Sequence, residues 1–142
     1  MAPDYRGMPL WARSDSNYGM AERNLAIRVM LLPKDTNAHG TIFGGVIMSQ
    51  IDLAGAVEAG KVSSHKVVTV AMNGVEFLAP VYVGDVVSFY TRCTRIGRTS
   101  IQIHVEVEAL RSSDGHTVVK VTEADVIYVT VDEAGNKIPV SS

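Results

Sequence analysis

Residues 37–61 read NAHGTIFGGVIMSQIDLAGAVEAGK, and the segment from Gly45 to about Lys61 decides the fold. Bounded by glycines, it spreads Val46, Ile47, Met48, Ile51, Leu53, Ala54, Ala56 and Val57 over nearly every side of a helix. A helix with no wet face is one that the rest of the chain has to cover. One acid, Asp52, stands inside it. A carboxylate leaving water costs several kcal/mol unless it is paired, hydrogen-bonded or protonated. Asp52 therefore either lies on an exposed turn or against a backbone amide, or it has a partner or reaches a cleft.

Outward from the helix the chain reads as strands. NLAIRVMLL (24–32) precedes it and is broken by Pro33 and the polar loop KDTNAHGT. After it, KVVTVAMNGVEFLAP (66–80) is a β-branched run ended by a proline, and PVYVGD turns into VVSFYTRCTRI (86–96). In IQIHVEVEA (101–109) apolar residues alternate with Gln102, His104, Glu106 and Glu108, one dry face and one wet. A turn at 112–116 leads into TVVKVTEADVIYVTV (117–131). The order is β, α, then four β, with later connections too short for parallel crossovers. This is an α+β pattern: a curved five-stranded antiparallel sheet wrapped round a long central helix. One sheet cannot cover the whole helix. The apolar remainder and the strand edges predict that two subunits join, pairing edges into one continuous sheet.

At 142 residues the chain fits one domain. We place it at residues 21–142, behind an arm (1–20, MAPDYRGMPLWARSDSNYGM) expected to be loosely ordered, with Trp11 free to dock. The tail DEAGNKIPVSS reads as a turn and a loose end. A net charge of -2 argues against a nucleic-acid partner. Cys93 stands alone, which excludes an internal disulfide and a multi-cysteine metal site, fits a reducing interior, and suits a small buried hydrophobe on a strand. No run approaches the roughly 20 apolar residues of a membrane span, and the first 25 residues lack a secretory layout, so no membrane partner and a cytoplasmic location are expected. The four histidines, 39, 65, 104 and 116, show no metal-binding spacing, and no metal is expected.

The glycine pair gives Asp52 a context. Gly44 and Gly45 let a ligand approach the backbone, and the helix start offers free N–H groups and partial positive charge, able to polarise a carbonyl. From Gly45 to Asp52 is about two turns, roughly 10 Å along the axis. That is too far for one chain to grip a single carbonyl with both. Two subunits solve this, the helix start of one facing the acid of its neighbour, so the site is expected at a dimer interface.

The run N-A-H-G-T-I-F-G-G-V-I-M-S-Q-I-D, with VVTVAMNGVEFLAPVYVGDVV and IGRTSIQIHVEV after it, resembles the acyl-CoA thioesterases of the hotdog fold, specifically the small bacterial YciA type, over roughly residues 25–132. The resemblance implies a hotdog domain, a homodimer as minimal unit with hexamers as trimers of dimers, and hydrolysis of acyl-CoA to free acid and coenzyme A without a cofactor. By position it makes Asp52 the catalytic carboxylate, as general base or nucleophile, and Asn37 the group that orients water or substrate. Gly45, beside Gly44, would supply the amide that polarises the thioester carbonyl. Arg98, Thr99 and Ser100 become candidates for coenzyme A contacts, with Arg95 and Lys120 weaker ones. Along KVVTVAMNG, backbone groups and Thr69 or Asn73 would bond pantetheine amides, and His39 would lie in a loop near the substrate.

Rival readings stay open beside these. His39 could serve as base or metal ligand. Glu58, about 240° round the helix from Asp52, is expected at the helix surface or an interface, and Glu76 at a solvent-facing strand position. The same scaffold also hosts dehydratases and hydratases, which would pair a histidine such as His39 with the acid. An acyl-CoA sensor would keep the slot, lose the acid and normally add a DNA-binding segment, for which this chain has no basic patch.

Overall fold

The computed structural model describes residues 23–141, so the expected arm over 1–20, Trp11 included, lies outside the described residues. Five strands and one long helix follow in the expected order: β1 Asn24–Met30, α1 Gly44–Val62, β2 Lys66–Asn73, β3 Val86–Ile96, β4 Ser100–Leu110 and β5 Val118–Val131. The strands form one sheet in the order β1-β3-β4-β5-β2. Every neighbouring pair is antiparallel. The sheet is not closed, so β1 and β2 are its two edges.

The alternation in β4 builds the core. Ile101, Ile103, Val105, Val107 and Ala109 are fully buried toward the helix, while Gln102, His104, Glu106 and Glu108 face outward and stay partly wet. Each buried Val or Ile is worth about 1.5–3 kcal/mol relative to an exposed one, which fixes the register against a one-residue slip. Helix α1 answers with Ile47, Ile51, Ala54 and Ala59. Its other side is apolar and open: Met48, Leu53 and Val57 are 38%, 55% and 47% exposed. The edge strand beside it adds exposed Val68 and Val70. The sheet thus covers about half of the helix, and the uncovered half is oily.

Several boundaries differ from the sequence reading for local reasons. β2 stops at Asn73, because Gly74 takes a positive φ of 74° and turns the chain away. Residues 74–81 then run as an extended link, tied down where the Leu78 amide donates to the Val121 carbonyl at 2.8 Å and the Ile42 amide to the Val81 carbonyl at 2.8 Å. Glu76 is exposed, but on this link rather than on a strand. Glu58 is not at the helix surface: it is 3% exposed, takes a 2.8 Å hydrogen bond from Asn24 Nδ2 and lies 3.2 Å from Lys61 Nζ. Cys93 is half-buried on β3 rather than fully buried.

Candidate active site

Phe43, with extended backbone, caps α1, and Gly44 and Gly45 form its first turn. The amides of Val46 and Ile47 both point back to the Phe43 carbonyl, at 3.0 and 3.4 Å. Those of Gly44 and Gly45 have no carbonyl four residues behind them in the helix, so they point outward from its positive end. Cβ atoms there would lie only 3.4 Å from the rings of Phe77 and Phe43 respectively. Beside this corner opens a cavity of about 390 Å³, lined by Gly44, Ile47, Phe77, Leu78, Pro80 and Val121 among others.

Asn37 shapes the loop that leads into the helix. Its Oδ1 accepts from the His39 amide at 2.8 Å and the Thr41 amide at 3.3 Å, and its Nδ2 donates to Thr41 Oγ1 at 2.8 Å. His39 uses its main-chain amide in that loop and is itself exposed. Thr41, which Asn37 holds, lines the same cavity as Gly44.

Asp52 sits two turns on, half-buried. Thr69 Oγ1 on β2 donates to its Oδ1 at 2.6 Å. A β-bulge between Thr69 and Ala71 leaves Val70 unpaired, and bulges of this kind re-aim neighbouring side chains. From the neighbouring strand β5 Tyr128 Oη donates to the Asp52 main-chain carbonyl at 2.7 Å. Met48, one turn before Asp52 on the same side of the helix, is exposed. Within one chain the acid and the glycine corner stand two turns apart on α1, roughly 10 Å along its axis.

Of the candidate coenzyme A contacts, Arg98, Thr99 and Ser100 lie at one end of the sheet. Arg98 is exposed on the tight β3–β4 turn, which the Gly97 amide closes on the Ser100 carbonyl at 2.8 Å. A Cβ on Gly97 would fall 2.5 Å from Ser100 Oγ, so a side chain there would make that hydroxyl turn away. Thr99 is anchored by the Thr130 amide at 2.9 Å, and Arg98 by the Val140 amide at 2.8 Å. Ser100 pairs with Val129, which pairs with Val68, so the turn lies at the same end of the sheet as Thr69. Asn73 is exposed at the far end of β2, opposite Asp125. Lys120 is not with this group: it pairs with Glu123 at 2.6 Å on the outer face. Arg95 is exposed near the end of β3.

Ladder register also assembles a charge cluster that spacing along one strand does not reveal. His104, Glu106 and Glu123 bring ligating atoms within 4.8 Å of one another on the outer face. Asp125 Oδ1 lies 2.9 Å from His104 Nδ1, while Arg23 and Lys120 pair with Glu106 and Glu123 at 3.0 and 2.6 Å. Cations already stand at two of these carboxylates, and the cluster is remote from Asp52 across the sheet. Sequence reading also passed over Tyr128 and Gly55; a tyrosine at an inward strand position reads as core unless its register with Thr69 is known.

A family model described as "Thioesterase superfamily" matches residues 39–115. The acyl-CoA thioester hydrolase YciA of Salmonella typhimurium is 47% identical over 117 residues, 81% of this chain and 88% of that protein. A hexameric thioesterase from Yersinia pestis superposes with a TM-score of 0.79 at 44% identity, covering 84% of this chain and 97% of its own. A hexameric hotdog-fold thioesterase of Campylobacter jejuni gives 0.78 at 44% identity, over 82% and 90%.

Proposed function

The chain belongs to the thioesterase superfamily, and from that premise we propose that it hydrolyses the thioester of acyl-coenzyme A, using Asp52 of one copy and the glycine corner of another. The observation that carries this reading is the Asp52 carboxylate itself, half-buried, bonded by Thr69 on one oxygen, and carried on a helix that leaves Met48, Leu53 and Val57 exposed. The relatives supply the substrate class and the assembly: acyl-CoA is the substrate of the YciA hydrolase, and the structural neighbours are hexamers.

In the first step the Gly45 amide, at the positive helix end, bonds the thioester carbonyl oxygen and favours the charge that develops there. Asp52 either takes a proton from water as it adds to the carbonyl carbon or adds to that carbon itself. The carbon–sulfur bond then breaks and coenzyme A leaves as its thiolate, which picks up a proton. On the base route the acyl group leaves directly as the acid, and on the nucleophile route it stays on Asp52 as an anhydride until water splits it to the acid and the free carboxylate. Water and a carboxylate suffice, so no cofactor enters. Arg98, with Thr99 and Ser100, would meet the phosphates or pantetheine of coenzyme A, guanidinium being suited to phosphate. The dehydratase alternative asks for a histidine on the acid, whereas Asp52 is bonded to a threonine and His39 lies in the Asn37 loop.

Turnover of a panel of acyl-CoAs by the wild type and by Asp52→Asn tests this. The near-isosteric change removes the base and should lower kcat by at least ~100-fold with substrate binding largely kept. Normal turnover by Asp52→Asn, with loss in His39→Ala, would overturn the assignment.

A further inference from the structure

Tyr128 is 1% exposed, toward the end of β5, and its hydroxyl is a buried polar group that needs a partner. Of the helix carbonyls passing above the sheet, it bonds that of Asp52, at 2.7 Å. A carbonyl oxygen has two lone pairs, so this bond is added to the ordinary helical one and does not break it. The helix makes room for it. A Cβ on Gly55 would collide with the Tyr128 hydroxyl oxygen and lie 3.0 Å from two ring carbons. A mid-helix glycine costs roughly 0.5–1 kcal/mol relative to alanine, and Gly60 of the same helix meets nothing within 4 Å. Gly55 is therefore the helix glycine with a steric reason to be there.

The same ladder row carries the other grip on Asp52. Thr69 and Tyr128 are directly opposite each other in the β2–β5 pairing, so both reach toward the helix from one level of the sheet. One holds the carboxylate, the other the main chain. We propose that Tyr128 is a positioning residue for the acid of the thioesterase site, its buried hydroxyl fixing the Asp52 main chain through the gap left by Gly55. Burial first, then the charge and hydrogen bonding of Asp52, hold the phenol well above its ordinary range, so it stays a donor at every working pH. Tyr128 itself is buried, and its part in the reaction is to hold Asp52 in place.

The inference rests on the proposed hydrolysis, and the test separates the two. Tyr128→Phe keeps the ring and removes the donor. Because misplacing a catalytic group by about 1 Å can cost ~100-fold, loss of one of two grips should lower kcat by about tenfold while KM and melting temperature hold. Gly55→Ala should lower kcat at least as much in the wild type but less in the Tyr128→Phe background, where the colliding atom is gone. An unchanged kcat in Tyr128→Phe, or a loss confined to melting temperature, or equal effects of Gly55→Ala in both backgrounds, would each overturn the positioning role. Asp52→Asn, measured alongside, reports on the hydrolysis reading: if it too were fully active, that reading would fall first.

Discussion

Asp52 shows how much a single polar atom in oily surroundings constrains its neighbours. Its Oδ1 is satisfied by Thr69 at 2.6 Å, and hydrogen bonds to a charged group are worth about 1.5–3 kcal/mol. Thr69 was read from the resemblance as a pantetheine contact, and the structure gives its hydroxyl a different partner. The two roles separate kinetically. Thr69→Val should lower kcat about tenfold with KM held, because orienting the acid matters only once substrate is bound. A rise in KM with kcat unchanged would return Thr69 to the coenzyme A contacts. The acid and the glycine pair were legible because a charge on an apolar helix and two glycines at its start are local signals. Tyr128 and Thr69 were not legible as a pair, since only the β2–β5 register puts them opposite each other.

At the scale of elements, the alternation of β4 and the all-round apolar helix were readable because period and composition are written along one segment. The end of β2 was not, since the apolar run continues past Asn73 and only the positive φ of Gly74 diverts it. Glu58 was misplaced for a similar reason: its burial depends on Asn24, 34 residues away, reaching it with a side-chain amide. A second buried acid, Asp85, staples the entry of β3 to the end of β4. It is 1% exposed, accepts from the Tyr82 and Ser112 amides at 3.0 and 2.9 Å, and pairs with Arg111 at 2.8 Å. Burial works to raise its pKa, but the two amides and Arg111 together hold it below the ordinary 3.8. A depressed carboxyl stabilises the fold above its unfolded pKa and loses that contribution as pH falls through the folded value. Thermal melts at fixed protomer concentration should therefore show Asp85→Asn less stable than wild type near neutrality, with the gap closing below ~pH 4. A gap independent of pH would contradict the charge's role.

At the scale of the whole molecule, one fact organises the rest: the helix has a covered side and an oily open side, and Asp52 lies between them. The open β2 edge with Val68 and Val70 lies beside that surface, as pairing with a second copy requires. How such copies meet was legible only as a need, because one sequence states what is uncovered and not what covers it. The central claim is that acid and glycine corner come from different copies, and complementation tests it most directly. Gly45→Pro removes the candidate amide in a first helical turn, where proline is tolerated, and Asp52→Asn removes the acid. Each alone should be nearly inactive. Co-expressed at equal levels, random pairing makes half the dimers mixed, and each mixed dimer holds one intact site out of two, so activity should recover to about a quarter of wild type. Activity that stays at the background of the single variants, in an assembly shown to be mixed, would place both halves of the site in one chain and contradict the account.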